Sequence, residues 1–301
     1  RCVITSISPS ETVVVTSPMI IKISTMEQFY VNISSPIPVY ALVNGKNETL
    51  ESGWYNENTT ICVENIPYYL SSDVRYIITN VYPSRLIIVD LPLTITISVV
   101  KQYYVTVNSK VPLKVVIWSP FIPFDTTYLK SSWVDQGTAI YVFNYSYYVS
   151  NDVRYILTGI NVSPLISPSI IIEIYNVTPL IVFVVDSPVT VNVSFIEQFY
   201  VNVSSPIPVY AFINGKNESL TSSWFNANTS IYIENLTYCL TKDVRYIIVS
   251  IQPSQEIIIV SPITIKINAV EQFYVAVNSS IPVHALINGT NETLKSNWYN
   301  A

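Results

Sequence analysis

Side chains that could carry out catalysis or bind a metal are few in this chain. It contains one histidine, His284, and three cysteines far apart in sequence, Cys2, Cys62 and Cys239. Metal sites and nucleophile–base pairs need several such side chains in combination. His284 stands where two similar segments of the chain have tyrosine, which predicts a strand residue instead of a base or ligand. We therefore expect no catalytic residue, no metal site and no enzymatic activity.

The three cysteines also stand at positions where other copies of a repeated segment have tyrosine. This favours a structural substitution at a buried or half-buried position. An odd number of cysteines in a secreted chain leaves one for an inter-chain disulfide, which is the open alternative.

Aspartate and arginine recur two residues apart, as Asp73/Arg75, Asp152/Arg154 and Asp243/Arg245. In a strand this spacing puts both side chains on one face. Acid–base chemistry is one interpretation, but we favour a structural ion pair, worth about 0–1 kcal/mol if exposed. Three further acids lie at predicted strand junctions, where we expect contacts between repeat units: Glu27, Glu197 and Glu271.

The most informative local pattern is Asn-x-Ser/Thr, the acceptor sequence for N-glycosylation in exported proteins. It occurs fourteen times without an intervening proline. The asparagines are Asn32, Asn47, Asn58, Asn144, Asn161, Asn176, Asn192, Asn202, Asn217, Asn228, Asn235, Asn278, Asn288 and Asn291.

A chain rich in Asn, Ser and Thr produces some of these triplets by chance. However, four of the asparagines fall on a strand face predicted to be polar (Asn32, Asn192, Asn202 and Asn278), and three flank predicted hairpin tips (Asn47, Asn217 and Asn291). We therefore expect N-linked glycans at many of the fourteen and no other cofactor.

The elements that carry these residues belong to an internal repeat. Residues 271–299 have close copies beginning at Glu27 and Glu197 and a more divergent copy beginning at Lys101. A glutamine marks each copy, and successive glutamines lie 74, 96 and 74 residues apart. Insertions of five residues near 118–128 and seventeen within 163–181 account for the longer interval.

This frame predicts the domain organisation. Complete β-repeats are expected at 28–101, 102–197 and 198–271, with the end of a unit at 1–27 and the beginning of another at 272–301.

Within each copy the dominant hydrophobic period is two, which indicates strands with one buried and one polar face. The alternation runs through 19–34, 93–108, 189–204 and 263–278. Sixteen residues would span about 50 Å, longer than an ordinary strand. We therefore predict two strands in series at each place, without a flexible linker, and hence rigid end-to-end stacking of units.

Asn-Gly at 44–45, 214–215 and 288–289 lies between apolar runs and predicts two-residue hairpins. The second copy lacks Asn-Gly, and its proline-rich segment predicts a loop. Val, Ile, Tyr and Thr dominate, and no helical period is sustained. The predicted fold class is all-β, with small Ig-like β-sandwich domains in tandem and incomplete units at both termini.

The succession QYYVTV, GWYN or SWFN, VRY and PITI, leading into QFYV, resembles the tandem β-repeats of archaeal cell-surface and secreted proteins. Such repeats form stalk regions of secreted peptidases and parts of cell-envelope proteins. The resemblance covers nearly the whole chain and implies a β-module and an extracellular location. The chain departs from that family in its few glycines, and YIITNVYPS follows Arg75 where the family often has Gly-Trp.

Composition excludes other classes of partner. Half of the 301 residues are hydrophobic, yet no uninterrupted apolar run approaches the ~18 residues of a membrane-spanning helix. The net charge is −5 and the basic residues are scattered, which argues against nucleic acid. No signal peptide is visible and the chain opens with Arg, so we expect a mature form or an excerpt.

Together these features favour an extracellular structural protein, the subunit of an N-glycosylated surface filament or stalk. In the main hypothesis the C-terminal strands of one copy combine with the N-terminal strands of the next by strand addition. The rival explanation is that the chain is a window of one long repetitive polypeptide.

Two other functions stay open at this point. Twenty-three tyrosines would suit an adhesin or a carbohydrate-binding module, although aromatic residues at fixed repeat positions favour cross-strand packing. A stalk of a secreted hydrolase would need a catalytic domain beyond these residues.

Overall fold

The computed structural model describes residues 1–119, 122–164, 181–234 and 237–301, with the backbone alone at 122–124. Within these ranges every regular element is a β-strand, which confirms the all-β prediction. None of the described residues lies in a helix long and apolar enough to cross a membrane.

The strands follow one another closely along the chain. The first ten are β1 (Cys2–Ser8), β2 (Lys22–Ser34), β3 (Tyr40–Val43), β4 (Lys46–Thr49), β5 (Gly53–Asn56), β6 (Thr60–Val63), β7 (Tyr68–Ser71), β8 (Val74–Tyr82), β9 (Leu86–Ile88) and β10 (Leu93–Asn108). The next eight are β11 (Leu113–Ser119), β12 (Ile122–Leu129), β13 (Ser132–Asp135), β14 (Ala139–Val142), β15 (Ser146–Ser150), β16 (Val153–Ser163), β17 (Ile181–Val184) and β18 (Val189–Ser204). The remainder are β19 (Tyr210–Ile213), β20 (Lys216–Ser219), β21 (Ser223–Asn226), β22 (Ser230–Ile233), β23 (Thr237–Cys239), β24 (Val244–Gln252), β25 (Glu256–Ile258), β26 (Ile263–Val275), β27 (His284–Ile287), β28 (Thr290–Thr293) and β29 (Asn297–Asn300).

The described chain forms two compact units. The first contains Arg1–Phe143 and Ile160–Asn192, and the second contains Asn144–Gly159 and Val193–Ala301. The sequence repeat at 102–197 contributes residues to both units. The repeat boundaries themselves remain predictions from the sequence.

In the first unit two sheets face each other across residues 28–101. One sheet has the order β4-β3-β6-β9, and in the other β5, β2, β10, β8 and β7 are successive neighbours. Ala41 and Ile61 from the first sheet and Val31 and Ile95 from the second are fully buried in one shared core. Burial of each Ile or Val side chain contributes about 1.5–3 kcal/mol. The arrangement is that of a β-sandwich.

The second unit contains the same arrangement. One sheet has the order β20-β19-β22-β25, and in the other β21, β18, β26, β24 and β23 are successive neighbours. Ile231 and Ile233 from the first sheet share a core with Val201 and Ile265 from the second. The equivalent segments of sequence therefore pack in equivalent ways in the two units.

The two-residue period places each side chain on its face. In β10, Ile95 and Ile97 are buried in the core, whereas the residue before each of them, Thr94 and Thr96, is exposed. Successive side chains of a strand point to opposite faces, so the alternating sequence places its apolar residues on the face that packs against the core and its polar residues on the face that meets solvent.

Each sixteen-residue alternating run was expected to form two strands in series, but β10 is one unbroken strand of 16 residues. Its first half pairs in parallel with β2, through Leu93–Thr96, and its second half pairs in parallel with β18, through Val105–Asn108. The strand continues because each half finds its own partner, so no turn is needed between them.

The Asn-Gly hairpins are confirmed. In the pair β3 and β4, Asn44 has φ 49° and Gly45 has φ 80°, both in the left-handed region that a type I′ turn requires. The pairs β19/β20 and β27/β28 have the same turn at 214–215 and 288–289.

The proline-rich loop predicted in the second copy is wrong over 122–129. These residues form β12, which pairs with β11 from Leu113↔Leu129 to Ser119↔Ile122. β12 is an edge strand of its sheet, where a proline such as Pro123 can be accommodated. The inserted residues therefore lengthen a hairpin. Most of the seventeen-residue insertion, at 165–180, lies outside the described residues.

Candidate functional site

The predicted glycosylation sites form the first candidate site. Twelve of the fourteen asparagines lie in the described residues and all twelve are exposed. They are Asn32, Asn47, Asn58, Asn144, Asn161, Asn192, Asn202, Asn217, Asn228, Asn278, Asn288 and Asn291. Asn176 and Asn235 lie outside the described residues.

Two of these asparagines are held in the same way in the two units. The hydroxyl of Ser52 donates to Oδ1 of Asn32 at 3.4 Å, and the hydroxyl of Ser222 donates to Oδ1 of Asn202 at 3.2 Å. Both bonds use the carbonyl oxygen of the asparagine, whereas an N-glycan is attached through the amide nitrogen. The geometry is therefore compatible with a glycan at Asn32 and Asn202.

Three other asparagines have a structural reason to be asparagine. Asn58, Asn228 and Asn288 have φ values of 61°, 65° and 49°, in the left-handed region. Asparagine tolerates this conformation better than most residues. At these positions the backbone alone explains the residue, so the triplet is weaker support for a glycan.

The second candidate site is a side-chain cluster that recurs where one repeat meets the next. In the first unit, Nε of Arg75 donates to Oε1 of Gln102 at 2.8 Å. Nε2 of Gln102 in turn donates to Oδ1 of Asp135 at 2.7 Å. These bonds connect β8, β10 and β13 at the middle of the long strand β10. We call this set of residues, with Trp133, the junction cluster.

Trp133 completes the junction cluster on its exposed side. The guanidinium carbon of Arg75 lies 4.4 Å from the centroid of the Trp133 ring, a cation–π contact. Tyr104 and Tyr69 approach the same ring edge-on, with centroids at 5.4 and 5.8 Å. Aromatic rings prefer such edge-to-face contacts to direct stacking. The tryptophan and arginine therefore fix each other's orientation.

The same contacts occur at three other places in the chain. In each, an arginine Nε donates to a glutamine Oε1 at 2.8–2.9 Å and the arginine lies 4.3–4.7 Å from a tryptophan ring. The sets are Arg1, Gln28, Asn56 and Trp54; Arg154, Gln198, Asn226 and Trp224; and Arg245, Gln272, Asn300 and Trp298.

The predicted ion pairs between aspartate and arginine do not form. Among the described residues the one ion pair is Lys242 with Asp243, at 3.8 Å and highly exposed. Arg75 binds Gln102 instead, while Asp73 lies in the turn before β8 and accepts a bond from the amide of Tyr104 through its backbone carbonyl, at 2.9 Å. A two-residue spacing ensures a shared face only if both residues lie within the strand.

Two of the three junction glutamates, Glu197 and Glu271, contact a tyrosine on a neighbouring strand, whereas Glu27 lies 4.0 Å from Sγ of Cys2. Each of these contacts lies within one repeat, which corrects the expectation of contacts between repeat units. The hydroxyl of Tyr155 donates to Glu197 at 2.5 Å, and that of Tyr246 donates to Glu271 at 2.8 Å. This hydrogen bond raises the pKa of Tyr246 above its ordinary value, because ionised tyrosine could no longer donate. The residue at this repeat position before Gln102 is Lys101, and a hydrogen bond with Tyr103 raises the pKa of that lysine.

The histidine and cysteines behave only partly as predicted. His284 begins β27, as expected for a strand residue. Cys62 is half-buried, but Cys2 and Cys239 are exposed, which corrects the expectation of burial for these two. Cys239 faces solvent because the equivalent tyrosines, Tyr69 and Tyr148, also pack on the outer surface of a junction cluster.

A cavity of about 300 Å³ lies in the first unit beside the lengthened hairpin β11–β12. Tyr128, Lys130, Trp133 and Asp135 line it, together with apolar residues of β11 and β14. An aromatic wall with a few polar groups is a common form of small-molecule site.

Sequence reasoning used the glutamines only to align the repeats and missed their bonds. The signal was present, because the arginine–glutamine separation is 27 residues at three junctions and the glutamine–asparagine separation is 28 at three. A polar residue that repeats in strict register with two others is a candidate for a shared hydrogen-bond network.

No family model, no curated protein and no solved structure matches this chain.

Proposed function

We propose that this chain is a non-enzymatic structural subunit of an extracellular, N-glycosylated surface filament or stalk, built from Ig-like β-sandwiches in tandem. The observation that carries the proposal is the recurrence of one polar joint, the junction cluster, on strands that run without a break from one repeat into the next. In such a strand the closing segment of one repeat and the opening segment of the next form one element.

Unbroken strands are present in each compact unit. In the first unit β10 passes through the cluster of Arg75 and Gln102, and in the second unit β26 passes through that of Arg245 and Gln272. In each cluster the arginine is held by a glutamine and a tryptophan, and these contacts restrain the long strand where one repeat ends and the next begins. A repeat array built this way favours a load-bearing role over one that depends on a deep pocket.

The exposed asparagines support the glycosylated part of the proposal. Only 12% of residues are charged and 50% are hydrophobic, so the bare surface carries many aromatic and aliphatic groups. Exposed apolar patches promote association. Glycans at Asn32, Asn202 and similar sites would cover part of this surface and keep the fibre soluble.

Some apolar residues are exposed although the residues at the same repeat position in another copy are buried, and this supports packing against a further repeat. Ile4, which is 56% exposed, corresponds to Ile78, which is 6% exposed, and Ile281 at 71% corresponds to Ile37 at 8%. Neighbouring repeats would cover these residues, supplied either by other copies through strand addition or by one longer repetitive chain.

The test combines two measurements on material from the source cells. Electron cryo-microscopy should show continuous fibres with β-repeats along their axis. Glycopeptide mass spectrometry should find sugars on Asn202 and Asn217, and none on Asn214, which is equally exposed but is followed by Gly-Lys. Isolated particles together with unmodified asparagines would overturn the proposal.

A second candidate function is an adhesin or carbohydrate-binding module on the same scaffold. The cavity beside Trp133 and Tyr128 favours it, because aromatic side chains commonly pack against sugar rings. Binding of oligosaccharides on a glycan array, lost in Tyr128→Ala and kept in the exposed Tyr210→Ala variant, would support this candidate. Equal binding by both variants would remove it.

A further inference from the structure

Parallel pairing between the opening and closing strands of a repeat follows one register throughout the described chain. The paired segments are Val31–Ser34 with Leu93–Thr96, Val105–Asn108 with Val189–Asn192, and Val201–Ser204 with Ile263–Lys266. Each ladder is four residues long, and each begins at the same repeat positions.

Two segments at these repeat positions have no parallel partner among the described residues. They are 275–278, an opening segment, and 19–22, a closing segment. β26 ends at Val275, whereas its counterpart β18 continues to Ser204, three positions further in the repeat. β2 begins at Lys22, whereas β10 begins at Leu93, three positions earlier in the repeat. Strand structure therefore stops where the ladder is missing, and both segments present open edges.

Both open segments carry exposed apolar side chains. Ile21 is 49% exposed, whereas Ile95 at the same repeat position is 0% exposed. Ile20, at 88%, is among the most exposed large apolar side chains of the described chain. Val275 is 36% exposed, against 0% for Val201.

The strongest observation is a matched pair of departures from the repeat. Where the three internal ladders have Thr94, Thr190 and Thr264 in the closing segment, the free segment has Ile20. Where they have Asn32, Thr106 and Asn202 in the opening segment, the free segment has Ala276. In the shared register these two positions face each other, as Asn32 faces Thr94. Within the chain a polar side chain therefore faces a polar side chain at this position. Between the two free segments an apolar side chain, Ala276, would face an apolar side chain, Ile20.

We infer that residues 275–278 of one copy of this chain add in parallel to residues 19–22 of a second copy. Ala276 lies opposite Ile20, and Asn278 lies opposite Lys22. This inference rests on the proposed function and deepens it by naming the interface and its register. Main-chain bonds supply affinity in such strand addition, and the side-chain pair supplies specificity.

The matched departures explain why the occupant is a second copy. An unrelated strand could cover an open edge, but it would not explain why both Ile20 and Ala276 replace polar residues at positions that face each other in the shared register.

Disulfide trapping tests the register. In the full chain with Cys2, Cys62 and Cys239 changed to serine, one preparation carries Ile20→Cys and another carries Ala276→Cys. Both sites are exposed, so the fold tolerates the changes. On mixing and mild oxidation we expect a covalent dimer joined between positions 20 and 276, and none from either preparation alone.

Val277→Cys is the matched control, because the adjacent side chain points to the opposite face of the strand. Its yield of dimer with Ile20→Cys should be at least roughly tenfold lower than that of Ala276→Cys. Equal yields, or no dimer with Ala276→Cys, overturn the inference.

A second measurement uses the chain with its native cysteines. We expect this chain to form oligomers in sedimentation velocity at high concentration. Ile20→Lys should abolish them, whereas Val249→Lys, at another exposed apolar site, should keep them. Fibres in the microscope without trapping at 20 and 276 leave the filament proposal standing and overturn this joint. Trapped pairs from a protein that never forms fibres support the joint and overturn the filament.

Discussion

Replacing Arg75 by alanine removes two interactions at once from the junction cluster. Gln102, which is 9% exposed, loses the donor to its carbonyl oxygen, and an unpaired buried polar atom costs about 1–3 kcal/mol. Trp133 loses a guanidinium 4.4 Å from its ring, worth about 0.5–2 kcal/mol. We expect the free energy of unfolding around β8, β10 and β13 to fall by about 2–4 kcal/mol.

Native-state hydrogen exchange with mass spectrometry is the suitable assay. A chain with two compact units need not unfold in one step, and exchange reports each segment separately. Arg75→Lys should give an intermediate loss, because lysine keeps the charge but lacks the planar guanidinium. Arg85→Ala is the control, since Arg85 is exposed and should change stability by less than about 0.5 kcal/mol.

A double-mutant cycle with Gln102→Ala isolates the pair. We expect a coupling free energy of about 1–2 kcal/mol between positions 75 and 102. If Arg75→Ala costs no more than Arg85→Ala, or if the two substitutions are additive within about 0.3 kcal/mol, the cluster does not hold the strands together.

Three further predictions concern the turn, the core and a titrating pair. Gly215→Ala should lower the free energy of unfolding by about 1–2 kcal/mol, because Gly215 has φ 80°, a conformation that a residue with a Cβ rarely adopts. Gly53→Ala should be nearly neutral, because the nearest atom to its new Cβ is in Tyr55, at the ordinary contact distance of 3.9 Å. Chemical denaturation compares the two variants, and equal losses of stability would contradict the turn argument. Ile95→Ala should lower the free energy of unfolding by about 2–5 kcal/mol, because Ile95 is 0% exposed. Ile21→Ala, at the same repeat position, should lower it by less than about 1 kcal/mol in dilute solution, because Ile21 is 49% exposed. Thermal unfolding compares the two variants, and equal losses of stability would contradict the difference in burial. Because the hydrogen bond to Glu271 raises the pKa of Tyr246, the stabilisation by this bond is present at neutral pH and is lost as the pH rises above about 10. The stability of the wild type relative to Tyr246→Phe should therefore decline there, and the decline should vanish in Glu271→Leu, which lacks the acceptor oxygen.

Local pattern was sufficient to predict most of the strands and the Asn-Gly turns. The alternation in 93–108 predicts one buried face, and β10 has Ile95 and Ile97 on that face. Asn-Gly predicts a type I′ turn because few other residue pairs accept positive φ at both positions, and Asn44 and Gly45 do so. These properties depend on near neighbours in the chain.

The misplaced features depend on partners far away in sequence. The β11–β12 hairpin replaces a predicted loop because β11 also pairs with β14 and so supplies a sheet for β12 to join. Arg75 binds Gln102 and not Asp73 because β8 and β10 are paired, with Arg75 opposite Gln102. A two-residue spacing along the chain does not reveal that pairing. Pairing between strands decides such contacts.

The amino-acid sequence by itself determined that this protein is all-β, repeated, and rich in Asn-x-Ser/Thr triplets, because period, turn residues and triplets are local properties. Tertiary structure decided which strands lie in parallel, which polar side chains share the junction cluster, and which apolar edges stay open. Those outcomes follow from hydrogen-bond pairing between segments 62 to 84 residues apart, such as Val31 with Leu93 and Val105 with Val189, and no local pattern encodes that choice.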